Sequence, residues 1–322
     1  MKHIAIVAGG DSSEYEVSLR SAEGVYGFID GTRYNRYIVT LRNSDWKVRM
    51  PDGTTYDVDK NDFSFRTGEK KIKFDYAYIT IHGRPGEDGR LQGYFDMLDI
   101  PYSSCGVLAG ALTFNKYINN QFLKSLGYRV ADSIRLLEGQ QIDCGTIVDK
   151  LNLPVFVKPN NGGSSFGVTK VKEASQLKPA IEKAFSEGCE VIIERFIKGR
   201  EITCGCYKTR TKQVVLPITE VVTGNEFFDY DAKYNGQAEE ITPARISEEL
   251  TGKIQRQTLE IYDVIRAHGI IRIDYIIPAD HHPVLLEINT NPGMTATSFI
   301  PQQINAAGLD VKDVMTEIIE NS

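Results

Sequence analysis

Short apolar runs at residues 4–8, 36–41 and 76–81, with a helix-patterned stretch at 16–28 between the first two, open the chain. This alternation predicts an α/β layer around a largely parallel sheet. Residues 101–106 read as a linker, and residues 107–126 as one helix carrying Lys116. A smaller unit follows, with a strand at 155–158, a glycine-rich turn, a helix at 174–186 and a strand at 191–193. Residues 194–207 and 213–220 are strand-like, whereas 223–243 is polar, sprinkled with aromatics, and has neither the helix nor the strand period. A long aperiodic stretch inside a folded chain predicts a functional loop or a disordered one. Residues 246–268 and 311–319 have the helical period.

The most informative pattern is a pair of apolar runs, 270–277 and 283–288, joined by Pro278-Ala279-Asp280-His281-His282. It predicts an antiparallel hairpin. A turn centred there sets Asp274 opposite Glu287 and Arg272 opposite Asn289. Positions two apart on a strand share a face, so these four polar side chains face one pocket from between buried neighbours. Two carboxylates and an amide oxygen suit Mg²⁺, a hard cation commonly shared with phosphates.

A length of 322 residues, with 41% hydrophobic and 25% charged residues, allows two or three globular units. A net charge of −6 gives no basic footprint for nucleic acid. No apolar run has the length of a membrane span, and residues 1–8 read as a first strand rather than a leader. The five scattered cysteines lack zinc spacing. Cys204-Gly205-Cys206 reads as strand, with the thiols packing as small hydrophobes. A reducing compartment, the cytoplasm, is the expectation.

Lys158 ends an apolar strand and is followed by Asn160-Asn161-Gly162-Gly163-Ser164-Ser165-Phe166-Gly167. Crowded backbone N–H groups beside a lysine suit an anion, although the terminal Gly-Lys-Ser/Thr of a Walker loop is absent. Further on, residues 194–201 leave one strand for another and offer backbone groups between apolar side chains, the makings of an adenine slot. Glu201 stands where ribose hydroxyls would lie.

The order lysine, lysine with glycine loop, glutamate hinge, loop with Lys233, Arg-x-Asp and Glu-x-Asn resembles the ATP-grasp enzymes. Several blocks are similar to those of D-alanine–D-alanine ligases: Ser12-Ser13-Glu14 with Glu16-Val17-Ser18, and His82-Gly83-Arg84-Pro85-Gly86-Glu87-Asp88-Gly89 with Leu91-Gln92-Gly93. Tyr230-Asp231-Ala232-Lys233-Tyr234 and Glu287-Ile288-Asn289-Thr290-Asn291-Pro292-Gly293-Met294-Thr295 complete the set. Together the blocks span nearly the whole chain.

The resemblance implies an N-terminal Rossmann-like α/β domain at 1–103 followed by a two-part ATP-grasp fold, 104–193 with the glycine-rich lid and 194–322 with the metal site and loop. It implies ATP and two Mg²⁺ ions (Mn²⁺ substituting) on Asp274, Glu287 and Asn289. Lys116, Lys158, Ser164 and Ser165 would meet ATP phosphates, with Lys233 reaching the γ-phosphate on loop closure. Glu194, Arg195 and Ile197 would line the adenine and Glu201 the ribose. Glu14 would pair with the first D-alanine's ammonium group, and His82 would face the substrate. Arg272 would hold the oxyanion, and Ser298 with the backbone at Gly293 would hold the second substrate's carboxylate. Tyr234, Ser164 and Glu14 would form a hydrogen-bonded chain. A homodimer acting on small molecules, for cell-wall precursor synthesis, is also implied.

Two departures stand out. Phe299 follows Ser298 where the family commonly has leucine, and Phe227-Phe228 precede Asp229. Alternatives are a ligase joining D-alanine to D-lactate or another D-residue, an ATP-grasp ligase for another carboxylate, and a nucleotide-binding module without catalysis. In the family, a tyrosine at the position of Tyr234 accompanies dipeptide rather than depsipeptide formation.

Overall fold

The computed structural model describes residues 1–163, 166–223 and 238–321. The first strand, β1 (Lys2–Gly9), is buried along most of its length, as a central parallel strand must be. Helix α1 (Tyr15–Phe28) returns the chain to β2 (Tyr34–Arg42), parallel to β1. The left-handed φ of +98° at Gly9 ends β1 where a Cβ would lie 2.4 Å from Leu41 O.

The expectation of a largely parallel sheet fails beyond β2. Four short strands, β3 (Asp45–Arg49), β4 (Thr55–Asp59), β5 (Ser64–Thr67) and β6 (Lys70–Lys73), extend the sheet as an antiparallel meander. β7 (Tyr76–Ile79) then pairs parallel to the other side of β1. The meander strands are short, with mostly exposed polar residues around single buried anchors such as Val48 and Ile72, so no apolar run announces them.

Helix α2 (Arg90–Met97) follows. The expected linker is instead a buried connection. Tyr102 bridges Ala77, Ser103 Oγ accepts from Ile79 N–H at 3.0 Å, and Ser103, Ser104 and Cys105 are buried. The single helix expected at 107–126 is two, α3 (Val107–Phe114) and α4 (Lys116–Ser125). Asn115 breaks them with extended backbone, and its side chain accepts from Ile118 N–H, a standard N-cap that leaves Lys116 in the first turn of α4.

A second, antiparallel sheet is built from β8 (Ser133–Leu137), β9 (Val155–Pro159), β10 (Thr169–Val171) and β11 (Glu190–Arg195) in the order β10-β9-β11-β8. Helices α5 (Cys144–Leu151) and α6 (Leu177–Phe185) cover it, with Val155, Val157, Ile181 and Ile193 at its core.

The third sheet contains β12 (Arg200–Lys208), β13 (Gln213–Val215), β14 (Thr219–Thr223), β15 (Ala238–Ile241), β16 (Ile270–Ile277) and β17 (Val284–Asn289). Its order is β15-β14-β12-β16-β17, with β13 also on β12. The stretch expected as one strand at 213–220 is interrupted at Pro217, which has no N–H to donate. Residues 238–241, expected to be aperiodic, pair with β14. Helix α7 (Glu248–Val264) packs Ile254 and Ile261 on the buried face of Cys204, Cys206, Ile271, Ile273 and Tyr275. Helices α8 (Phe299–Ala306) and α9 (Val311–Asn321) close the chain against α1 and β1.

All five cysteines are free, and Cys204 and Cys206 are buried as small hydrophobes. Burial pushes the Cys204 thiol up to about 12, as suits a thiol packed in an apolar core. Among the described residues no helix is long and apolar enough to cross a membrane.

Candidate active site

The β16–β17 hairpin has the expected register, Asp274 opposite Glu287 and Arg272 opposite Asn289. A bulge next to this pair sets Tyr275 against Leu285, so Leu286 is the extra residue. The four polar side chains line one cleft of about 1220 Å³, whose walls come from the second and third sheets and from α1 and the loops beside the first. Glu14, His82, Lys116, Lys158, Glu194, Arg195, Ile197, Glu201, Gly293 and Ser298 line it too. Ser164, Ser165, Lys233 and Tyr234 lie outside the described residues.

Asp274 is the hub of the hairpin face. Its Oδ1 accepts from Arg272 Nε at 2.8 Å and from Thr203 Oγ1 at 2.6 Å. Its Oδ2 accepts from Arg272 Nη2 at 2.9 Å and from Asn289 Nδ2 at 3.1 Å. A carboxylate offers about four lone-pair sites, so these donors occupy the set. Arg272 lies with its Cζ 5.3 Å from the Phe299 ring centroid, a cation–π contact. Phe299, an expected departure, thus forms a wall against the guanidinium.

Two lysines approach the same face. Lys158, at the end of β9, pairs with Glu194 across the β9–β11 ladder at 2.7 Å, and both are buried. Asn120 Nδ2 donates to the other Glu194 oxygen at 3.0 Å. Lys116 Nζ donates to Gly162 O at 2.6 Å and stands 3.7 Å from Glu287 Oε2. The glycine turn is tied to α4 by Asn160, whose Oδ1 accepts from Tyr117 N–H at 2.8 Å. Two lysines and three oxygen ligands on facing walls suit a polyphosphate with Mg²⁺, and the donor set Asp274, Glu287 and Asn289 is of the hard oxygen type that this ion takes. A cation on Asp274 must displace one of its present donors.

Between β11 and β12, Phe156 and Phe196 stand 5.9 Å apart at the cleft, beside Ile197. The Arg195 side chain turns away: its Nε donates to Leu151 O at 3.0 Å and its Nη2 to Lys150 O. Its backbone N–H donates to Asp132 O at 2.9 Å.

At the opposite end, Glu14 is buried just ahead of α1, and a Cβ on Gly163 would come within 3.0 Å of Glu14 Oε1. The glycine turn therefore passes directly over this carboxylate. His82 Nε2 lies 3.2 Å from Ser21 Oγ. Burial holds its pKa below the ordinary 6.5, with Glu14 opposing and Arg272 reinforcing, so the ring is neutral at pH 7. Ser298 is the N-cap residue of α8, but its Oγ bonds Thr295 Oγ1 at 2.8 Å and accepts from Thr295 N–H.

Several residues that hold or line the cleft were not singled out by the sequence reading. Thr203 and Gln303 hold the hairpin face from behind, Gln303 Nε2 donating to Thr203 O and to Thr219 Oγ1 at 3.0 Å each. Glu87 accepts from Gly83 N–H at 2.7 Å, and burial, with Glu14's charge second, pushes it up to about 8. Glu240 lines the cleft beside Arg272. The signal for Glu87 was present in the 82–89 block. For the others only strand alternation was available.

Comparison with known proteins gives this cleft its context. Residues 3–105 match the family described as D-ala D-ala ligase N-terminus, and residues 122–320 match D-ala D-ala ligase C-terminus. The D-alanine–D-alanine ligase of Parabacteroides distasonis is 65% identical, over 99% of this chain and 97% of that protein. That of Bacteroides fragilis is 64% identical over 99% of both. Among solved structures, the VanG D-Ala:D-Ser ligase of Enterococcus faecalis is similar with a TM-score of 0.86 at 30% identity, covering 99% of this chain and 98% of that one. The ATP complex of the Bacillus anthracis D-alanine–D-alanine ligase gives a TM-score of 0.79 at 29% identity, covering 100% and 97%. Matched by both of its family models and by full-length relatives, the chain belongs to the D-alanine–D-alanine ligase family, within the ATP-grasp fold.

Proposed function

We propose that this chain joins two D-alanine molecules into D-alanyl-D-alanine with ATP, forming ADP and phosphate, for peptidoglycan precursor synthesis. The observation that carries it is full-length similarity to D-alanine–D-alanine ligases, 65% identity in one case. The cleft supports it, since every described residue implied by the family resemblance lines that one space.

In this reading, Glu14 binds the ammonium group of the first D-alanine, whose carboxylate oxygen attacks the γ-phosphorus. Bond formation there and cleavage of the β–γ bridge give D-alanyl phosphate and ADP. The amine of the second D-alanine then attacks the acyl carbon, loses a proton and expels phosphate. The fork of Arg272 is suited to the oxyanion that develops. Neutral His82 serves as a hydrogen-bonding group toward the first substrate. Lys116 and Lys158 hold the phosphates, with Ser164 and Ser165 of the lid and Lys233 of the loop. Glu194, the Arg195 backbone and Ile197 flank the adenine, and Glu201 binds ribose. Ser298 and the Gly293 backbone receive the acceptor's carboxylate. Tyr234, Ser164 and Glu14 link loop and lid, and closure excludes water from the acylphosphate.

Asp274, Glu287 and Asn289 would hold two Mg²⁺ ions, with Mn²⁺ as a substitute, and these supply charge neutralisation on the phosphates. Three units, 1–103, 104–193 and 194–322, are proposed, one around each sheet, with a shared core joining the first to the third where α8 and α9 pack on α1 and β1. A cytoplasmic homodimer is proposed; Met97 at the end of α2 and Leu108 at the start of α3, 80% and 68% exposed, are candidate interface residues.

The test is phosphate release with Mg²⁺-ATP and D-alanine, L-alanine, D-serine or D-lactate in parallel. Dipeptide from D-alanine is expected. Dominant depsipeptide at neutral pH with D-alanine and D-lactate together, or no phosphate release with D-alanine, would overturn the reading.

A further inference from the structure

Glu240 is a carboxylate that the mechanism above does not use. It lies on β15, opposite Val221, and its side chain enters the cleft. Its Oε2 accepts from Gln302 Nε2 at 2.6 Å, and the same amide donates to Thr297 O at 2.7 Å. Gln302 therefore fixes the carboxylate beside the segment Thr297-Ser298-Phe299, which lines the acceptor end of the cleft. Across this end stands Arg272, close enough for its charge to act on Glu240 and in contact with the Phe299 ring. Arg272 is already engaged by both oxygens of Asp274. Among the described residues named here, Glu240 and Asp274 thus set two carboxylates against the one guanidinium of Arg272. Burial raises the Glu240 pKa above its ordinary 4.5, and the Gln302 amide and the Arg272 charge pull against that shift toward the ionised form.

We propose that Glu240 is a specificity-determining residue: its carboxylate, held by Gln302, favours a zwitterionic amino acid over an anionic hydroxy acid as the second substrate. The inference rests on the ligase reading above and deepens it. D-Alanine arrives with an ammonium group and a carboxylate, whereas D-lactate arrives with a carboxylate alone. A fixed negative charge at a half-enclosed site attracts the ammonium group and repels the uncompensated anion. The device is purely electrostatic. The isosteric change Glu240→Gln retains an oxygen for the Gln302 hydrogen bond and removes only the charge.

The experiment compares wild type, Glu240→Gln and Glu239→Gln with Mg²⁺-ATP, fixed D-alanine and rising D-lactate. Dipeptide and depsipeptide are counted by mass spectrometry, and KM for the second D-alanine is measured alongside. Glu239, exposed on the next position of the same strand, controls for charge at a distance. Glu240→Gln is expected to shift the product ratio about tenfold toward depsipeptide, equivalent to about 1.4 kcal/mol, and to raise KM for the second D-alanine. Glu239→Gln is expected to leave the ratio unchanged. A residue acting only as a strut between β15 and α8 would depress both products together. A Glu240→Gln ratio within about twofold of wild type, or an equal shift in Glu239→Gln, overturns the proposal while leaving the ligase reading intact. Failure of the wild type to make dipeptide overturns both. Glu240→Ala provides the same reading should the glutamine variant not fold.

Discussion

Lys158→Met separates what the buried lysine does for the fold from what it does for the reaction. Its side chain is 10% exposed and that of Glu194 is 4% exposed, with 2.7 Å between charges. Removing the lysine leaves the Glu194 carboxylate buried with the Asn120 amide as its remaining partner in this network. An uncompensated buried charge of this kind costs about 3–5 kcal/mol. At roughly 2–4 °C per kcal/mol for a domain of this size, thermal unfolding should fall by about 6–20 °C. Adding Glu194→Gln removes the orphaned charge and preserves an acceptor for Asn120. The double variant should therefore recover all but about 1 kcal/mol, since a neutral hydrogen bond contributes about that much. It should nevertheless remain inactive, because in the proposed reading nothing replaces the ammonium group beside the phosphates. Thermal unfolding followed by circular dichroism, with ADP release measured on the same samples, decides the matter. A single variant as stable as wild type, or a double variant as unstable as the single, would refute the reasoning. An active double variant would remove Lys158 from phosphate binding.

Arg272→Ala and Glu287→Gln should each abolish turnover, with circular dichroism spectra of the folded protein; wild-type rates in either would contradict their roles. His82 has a depressed pKa, so folding favours its neutral form and its contribution is present above the ordinary 6.5 and lost as pH falls below it. His82→Gln should accordingly lose less stability than wild type between pH 7 and 5, as read by urea unfolding. Glu87 has the opposite sign. Its pKa is raised from 4.5 to about 8, so its contribution is complete below 4.5 and declines as pH rises toward 8. The stability gap between wild type and Glu87→Gln should therefore move against wild type over that interval. Gln303→Leu leaves the Gly205 N–H and the Thr203 carbonyl buried without their present partner. A loss of about 2 kcal/mol or more is expected by urea unfolding, and a neutral result would show that the network relaxes.

How much of this was legible in the chain depended on whether a residue's partner lay nearby in sequence. The β16–β17 register could be read because polar Arg272, Asp274, Glu287 and Asn289 interrupt continuous apolar runs on either side of one turn. The hydrogen bond from Thr203 to Asp274 joins residues 71 apart, and that from Gln303 to Thr203 joins residues 100 apart. Neither leaves a periodic trace. The β3–β6 meander was missed because its strands are four or five residues long with few buried side chains. The break between α3 and α4 needed Asn115 to be seen as a cap rather than as one polar residue in a helix. Arg195 belonged to a matching block, yet its side chain bonds carbonyls of α5 on the far side. A motif identifies the backbone position and leaves the side chain's direction to packing.

The cleft draws on all three layers, because each offers a different electrostatic environment at its edge. The first contributes Glu14, His82 and Glu87 in a desolvated corner, where burial shifts His82 down and Glu87 up. The second contributes Lys158 at a strand end, held in place by Glu194. The third contributes Asp274, Glu287 and Asn289 on an antiparallel face whose register brings the oxygens together. The environments differ in partners rather than in exposure: His82 and Asp274 are 9% and 8% exposed, but Asp274 has the Arg272 guanidinium on both of its oxygens. The corners are joined by specific buried bonds. Asn291 Nδ2 donates to Ile81 O at 2.7 Å, fixing the segment after β17 to the strand end that carries His82. Gln303 ties α8, and with it Ser298, to the strand behind Asp274. The layers are thus held together at the cleft by buried side-chain bonds, and in the proposed reading these position the residues that face the substrate.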